Sequence, residues 1–244
     1  MIISSSFLSF SFKYDEKQIY NLMNNIKVKT ILRNYIVLII GLFIMSWGVC
    51  LSVRCNLGTT PISAIPNVLS FVTDISLGTL TIIFNALLLL IQILILRSKF
   101  PRIQLFQLVV TTIFGYFIDF ALSLTTNLIP QNTTEQILLC ILGCFVIALG
   151  VFFEVNSHAV ILPGEGVSVA ICAVSSIKFE KMKVIFDSTN VIIAVIISLC
   201  YFGGFVGVGI GTILAGIVVG YIIRFYKKIA LMILGKNEDN PVTN

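Results

Sequence analysis

Six long apolar runs, about 35–53, 78–97, 103–125, 136–155, 182–202 and 205–226, leave this chain little freedom in what it can fold into. A helix needs roughly 20 residues to cross about 30 Å of hydrocarbon, and each run has or approaches that length. Only 11% of the 244 residues are charged, while 57% are hydrophobic. A soluble domain carries about 25% charged residues. Such a chain cannot clothe a water-facing surface, so its solvent is lipid and its expected fold is all-α transmembrane.

Two further runs, 61–73 and 163–177, are apolar but too short to cross. Each begins at a proline, which suits the first turn of a helix because its missing N–H costs nothing there. They read as half-helices or re-entrant segments. Each follows a polar break, Arg54–Ser63 in one case and Asn156–Glu165 in the other.

The two breaks belong to a repeat. A shift of 102 positions places Gly41 on Gly143, Gly48 on Gly150, Pro61 on Pro163, Phe84 on Phe186 and Asn85 on Asp187. Three more residues of insertion place Gly115-Tyr116 on Gly220-Tyr221. Repeats decide a fold, and here each half reads long, short, long, long. The expected divisions are an N-terminal cytoplasmic tail (1–30, or in part a start-site artefact), repeat one (31–128), repeat two (129–229) and a C-terminal cytoplasmic tail (230–244).

Orientation follows from the Lys and Arg residues, which favour the cytoplasmic side. With six crossings, the clusters Lys27/Lys29/Arg33, Arg97/Lys99/Arg102, Lys178/Lys181/Lys183 and Arg224/Lys227/Lys228 all fall inside. With eight, Arg97/Lys99/Arg102 would face out. Three full crossings per half is an odd number, so the halves would be inverted relative to one another. Inverted repeats with broken helices are typical of secondary transporters, whose substrates bind near the membrane midplane. The net charge of +5 is explained by this sidedness and does not point to nucleic acid.

Non-helical backbone at membrane depth must be buried in protein or line a cavity. The two breaks therefore point to a cavity, with half-helix N-termini aimed into it. The candidate substrate-binding residues are Arg54, Asn56, Thr60, Ser63 and Asn85 from the first half. From the second come Glu154, Asn156, His158, Glu165 and Asp187. Ionisable residues inside spans are costly and are usually functional; Asp119 in the third span belongs to the same class. Arg54 could pair with Glu154, Glu165 or Asp187. His158 is the only histidine, and its place among carboxylates would suit proton coupling. Each of these also has a structural reading, as an interfacial charge, a helix-start acid or a turn residue.

No catalytic signature is present: no G-x-S-x-G, no H-E-x-x-H and no P-loop. The six cysteines lie in or beside apolar runs and read as packing residues rather than metal ligands. No enzyme activity, metal or cofactor is expected.

The runs Gly48-Val-Cys-Leu-Ser-Val-Arg-Cys-Asn-Leu-Gly58-Thr-Thr-Pro61-Ile-Ser63 and Leu77-Gly-Thr-Leu-Thr-Ile-Ile-Phe-Asn85 resemble the bacterial YczE/YyaS/YitT-like integral membrane proteins, and among them the DUF6198 branch. Leu162-Pro-Gly-Glu-Gly166, Lys183-Val-Ile-Phe-Asp187 and Val206-Gly-Val-Gly209 support the likeness, which covers roughly 34–226. The resemblance implies a protein of the bacterial cytoplasmic membrane and carries over no catalytic residue. The expected function is a small secondary transporter or permease for a zwitterionic or cationic solute. The alternative is a non-transporting accessory or regulatory membrane protein. The sidedness is open to a direct check: a cysteine placed at Lys99 is expected to react with an impermeant maleimide only from the cytoplasmic face. Labelling from outside would overturn the inverted arrangement.

Overall fold

The structure is a computed structural model that describes residues 16–233. The described residues form eight α-helices and no strand. Helix α1 runs Glu16–Arg54, α2 Pro61–Val72, α3 Leu77–Leu96 and α4 Phe106–Leu124. Helix α5 runs Thr133–Asn156, α6 Pro163–Val174, α7 Phe179–Phe202 and α8 Ile210–Ile233. Short 3-10 turns at Arg97–Lys99 and Arg102–Leu105 join α3 to α4.

The long-short-long-long order appears twice, as expected. Six segments are long and apolar enough to cross a membrane: Val28–Arg54, Leu77–Lys99, Arg102–Leu124, Thr133–Asn156, Phe179–Phe202 and Ile210–Ile233. The two short helices have 12 residues each, about 18 Å of rise, too little to cross about 30 Å of hydrocarbon. The tail expected over 1–30 is helical where it is described, because α1 starts at Glu16 and runs unbroken into the first span. Residues 1–15, and 234–244 of the expected C-terminal tail, lie outside the described residues.

The centre of the molecule is the antiparallel crossing of α1 and α5, the most extensive helix contact in the structure. Glycine makes it close. A Cβ on Gly41 would lie 2.9 Å from the Gly150 carbonyl, and one on Gly150 would lie 2.6 Å from the Met45 nitrogen. One on Gly48 would lie 2.5 Å from the Ile147 nitrogen, and one on Gly143 would lie 3.2 Å from the Gly48 carbonyl. Small residues let helix backbones approach in this way in membranes, where dispersion replaces the hydrophobic drive. The pairs are reciprocal: Gly41 meets the mate of Gly48, and Gly48 meets the mate of Gly41. The crossing is thus antiparallel and reciprocal in the repeat register.

The other contacts repeat the relation. Helix α1 packs on α4, and α5 on α8; α2 packs on α7, and α6 on α3. Each short helix thus rests on a long helix of the opposite half. The largest apolar cluster, including Leu38, Leu42, Val49, Val110, Phe114 and Ile118, sits between α1 and α4. The matching α5–α8 cluster is smaller, with Cys144, Ala148, Ala215 and Ile222.

Gly48→Leu is expected to lower stability by about 1–3 kcal/mol, the usual range for overpacking. Gly220→Ala, where an added Cβ meets nothing within 4 Å, should leave stability unchanged or slightly raised, because Ala is the better helix former. Thermal unfolding of the purified protein in detergent separates the two.

Candidate functional site

The two breaks fold alike. Each leaves its long helix through a left-handed residue, Asn56 (φ 56°) and its mate His158 (φ 51°). Left-handed backbone is several-fold enriched in Asn and His among non-glycine residues. Thr60 precedes α2 with φ −64° and ψ 153°, and Leu162 precedes α6 with φ −65° and ψ 151°. Neither N-terminus is capped by a side chain, and a proline opens each helix. The helix ends match too: Thr73 and Ser175, again mates, have φ −120° and −128°.

The half-helices begin facing one another. A Cβ on Gly164 would lie 2.5 Å from the Ile62 Cδ1, and Ile62 and Gly164 are repeat mates. Ile62 and Gly164 thus mark a point where mates touch. Around it is a cavity of about 240 Å³, into which both free helix N-termini open.

Its lining comes in mates. Met45 and Val49 of α1 stand opposite Ile147 and Val151 of α5. Thr60 and Ser63 are matched by Leu162 and Glu165. On the supporting helices Thr81 and Asn85 are matched by Lys183 and Asp187, and Phe114 by Val219. The first half offers hydroxyls and an amide. The second offers three carboxylates, Glu154, Glu165 and Asp187, and the Lys183 ammonium. Lys183 Nζ lies 3.2 Å from Asp187 Oδ1, one helical turn apart. Asn85 is buried and its Nδ2 donates to the Thr81 carbonyl at 2.9 Å. Thr60 Oγ1 donates to Ser63 Oγ at 3.2 Å. Glu154 is 3% exposed; its Oε1 accepts from the Leu162 N–H at 3.0 Å and so ties the second break to α5. Glu165 and Lys183 both lie within its electrostatic reach. Among the described residues no three His, Cys, Asp or Glu side chains converge as metal ligands.

Of the ten sequence candidates, the cavity gathers Thr60, Ser63, Asn85, Glu154, Glu165 and Asp187. The other four lie elsewhere. Arg54 does not pair with any of the three proposed carboxylates. Its Nη2 donates to the Leu122 carbonyl at 2.7 Å and its Nε to Thr125 Oγ1 at 3.3 Å, a cation on the C-terminal carbonyls of α4. Asn56 and His158 are exposed turn residues, and Asn156 Nδ2 donates to its own helix at Phe152. Asp119 is a cap: its carboxylate accepts from the Gly78 N–H at 2.7 Å and from Ser76 Oγ at 2.6 Å. Lys183, assigned from sequence to a cytoplasmic basic cluster, instead lines the cavity. Its spacing of four from Asp187 within one helix was the available signal.

A bundle of six membrane-length helices with two half-helices meeting inside it defines a multi-pass integral membrane protein. A family model described as "Family of unknown function (DUF6198)" matches residues 32–228, and the chain belongs to that family. The chain is also similar to "Uncharacterized protein YyaS" of Bacillus subtilis (strain 168), with 27% identity over 191 residues, covering 78% of this chain and 90% of that protein. No solved structure matches the chain.

Asp119→Ala is expected to lower stability by about 1–3 kcal/mol, because it strips charged-acceptor hydrogen bonds from the start of α3. Glu165→Gln, whose side chain has no hydrogen-bond partner among the described residues, should leave the unfolding temperature unchanged.

Proposed function

We propose that this protein is a small secondary transporter of the bacterial cytoplasmic membrane, built from two inverted repeats, with its substrate site in the cavity between the half-helices. The observation that carries the reading is the meeting of two half-helix N-termini at Ile62 and Gly164 over a cavity lined by repeat mates. Interrupted helices at a repeat interface are how many transporters build a midplane site. The antiparallel, reciprocal α1–α5 contact supports inversion: if both helices cross the membrane, the two-fold relating them lies in its plane. The positive-inside distribution supports cytoplasmic termini.

The cavity chemistry favours a small zwitterionic or cationic solute. Glu165 is an unpaired carboxylate, while Asp187 is shared with Lys183. An ammonium group would take Glu165 as its counter-charge. A carboxylate on the same solute would find Lys183 and the helix N-termini. Thr60, Ser63 and Asn85 would supply neutral hydrogen bonds from the other side.

Purified protein in liposomes, loaded with a pH or membrane-potential gradient, tests this with radiolabelled alanine, lysine, glycine betaine and putrescine. At least one is expected to accumulate over empty liposomes. Glu165→Gln and Asp187→Asn are each expected to cut that flux about tenfold, equivalent to about 1.4 kcal/mol. Flux of none of the four, or flux unchanged in both variants, would sink the proposal.

A further inference from the structure

One contact differs between the two halves. In the first, α3 and α4 close on one another: the backbones of Gly78 and Gly115 meet, and Asp119 holds the start of α3. In the second, α7 and α8 barely touch. Gly220, the mate of Gly115, is exposed and faces open space. The cavity widens into this gap, taking Gly216, Gly220 and Ile223 of α8 into its lining. Their mates on α4, Thr111, Gly115 and Ile118, are buried.

The register shows what closure would do. Phe114 and Val219, mates at a shift of 105, both line the cavity, which aligns α4 with α8. Ser76 and Lys178, mates at 102, both immediately precede their helices, which aligns α3 with α7. Glu180 then stands where Gly78 does, and Arg224 where Asp119 does. Neither is paired now. The one ion pair among the described residues is Lys183–Asp187, and the Arg224 guanidinium lies 5.6 Å from the ring centroid of Tyr221 on its own helix.

We propose that the α7–α8 gap is a gate of the cavity, open in this structure, and that its closed form brings Arg224 onto Glu180 across Gly220. This rests on the transporter reading above and adds its moving part. An arginine at the start of a helix is disfavoured by the positive dipole end, and Lys178 and Lys181 flank the same turn. Glu180 is the carboxylate of that turn that offsets them. The closed contact is therefore weaker than its α3–α4 counterpart, where a carboxylate meets the helix start directly.

The test is proximity in membranes. Glu180→Cys and Arg224→Cys are combined in a chain carrying Cys172→Ser and Cys200→Ser, the other native cysteines being buried. Copper phenanthroline is expected to cross-link the pair. Adding Gly220→Leu, which fits the open gap but not the closed one, is expected to abolish the cross-link without lowering the unfolding temperature. In the native pair, Glu180→Lys or Arg224→Glu alone is expected to raise maleimide labelling of Ile223→Cys about twofold, the scale of an exposed ion pair, and the two together to restore it. No cross-link, a cross-link indifferent to residue 220, or a charge swap that fails to restore labelling overturns the gate. A gate that behaves as described in a protein with no flux removes the transporter reading alone. Flux with an unresponsive gate removes the gate alone.

Discussion

Backbone that leaves the helix inside a bundle of membrane-length helices sets the terms for the rest of this structure. Each unsatisfied N–H or carbonyl in hydrocarbon costs several kcal/mol, and the two breaks expose several. The protein satisfies them by packing the breaks against protein rather than lipid. The Leu57 carbonyl accepts from the Gly211 N–H at 2.8 Å, and the Gly207 carbonyl accepts from Asn67 Nδ2 at 2.6 Å. In the second half a carboxylate takes part: Glu154 accepts from Leu162, and Ser157 accepts from the Ala159 N–H. The same requirement explains Asp119 and Arg54. Both are charges that satisfy backbone groups at helix ends. The α1–α5 crossing makes this possible by bringing the halves close enough for each half-helix to lie on the other half.

The cavity is what remains after those needs are met. Two mated segments meet with their N-termini first, and a cavity between them is lined by mates of necessity. What the fold does not fix is the chemistry of each mate. Thr81 and Lys183 occupy one place, as do Asn85 and Asp187, and Ser63 and Glu165. A symmetric scaffold thus carries an asymmetric site, neutral on one wall and ionic on the other.

Most of the fold was legible because membrane-length periodicity leaves few alternatives. Six runs, two short segments and the repeat register were all in the sequence, and the half-helices begin at the two prolines that marked them. The site was half legible. Residues placed by the repeat itself, Ser63 and Glu165 or Asn85 and Asp187, reached the cavity together. Of those chosen for polarity near a break, Thr60 and Glu154 reached it and Arg54, Asn56, Asn156 and His158 did not. Arg54, Asn156 and His158 are polar because they end a helix or turn a corner, and sequence polarity does not separate that need from ligand binding. Lys183 failed in the opposite sense: a lysine near a run's end looks like an anchor, and only its helical face shows that it turns inward. The left-handed pair Asn56 and His158 carried only a weak sequence marker, the enrichment of Asn and His in that region among non-glycine residues.

The exchange of Asp119 for Arg224 at mated positions is the clearest trace of how such a chain is constrained. In a parallel repeat, mates would face the same side of the membrane and the same electrostatic demand. Under inversion they face opposite sides. One end of the bundle tolerates a carboxylate at a helix start, where it is also favoured by the dipole. The other end is where Lys and Arg are retained, so the mate becomes basic and loses the dipole's help. Packing at the first site can then be close and buried, as it is at Gly78 and Gly115. At the second, Gly220 meets open space and α7 and α8 barely touch. On the inverted topology proposed above, the difference between a closed contact and an open one would follow from membrane sidedness acting on two copies of the same motif.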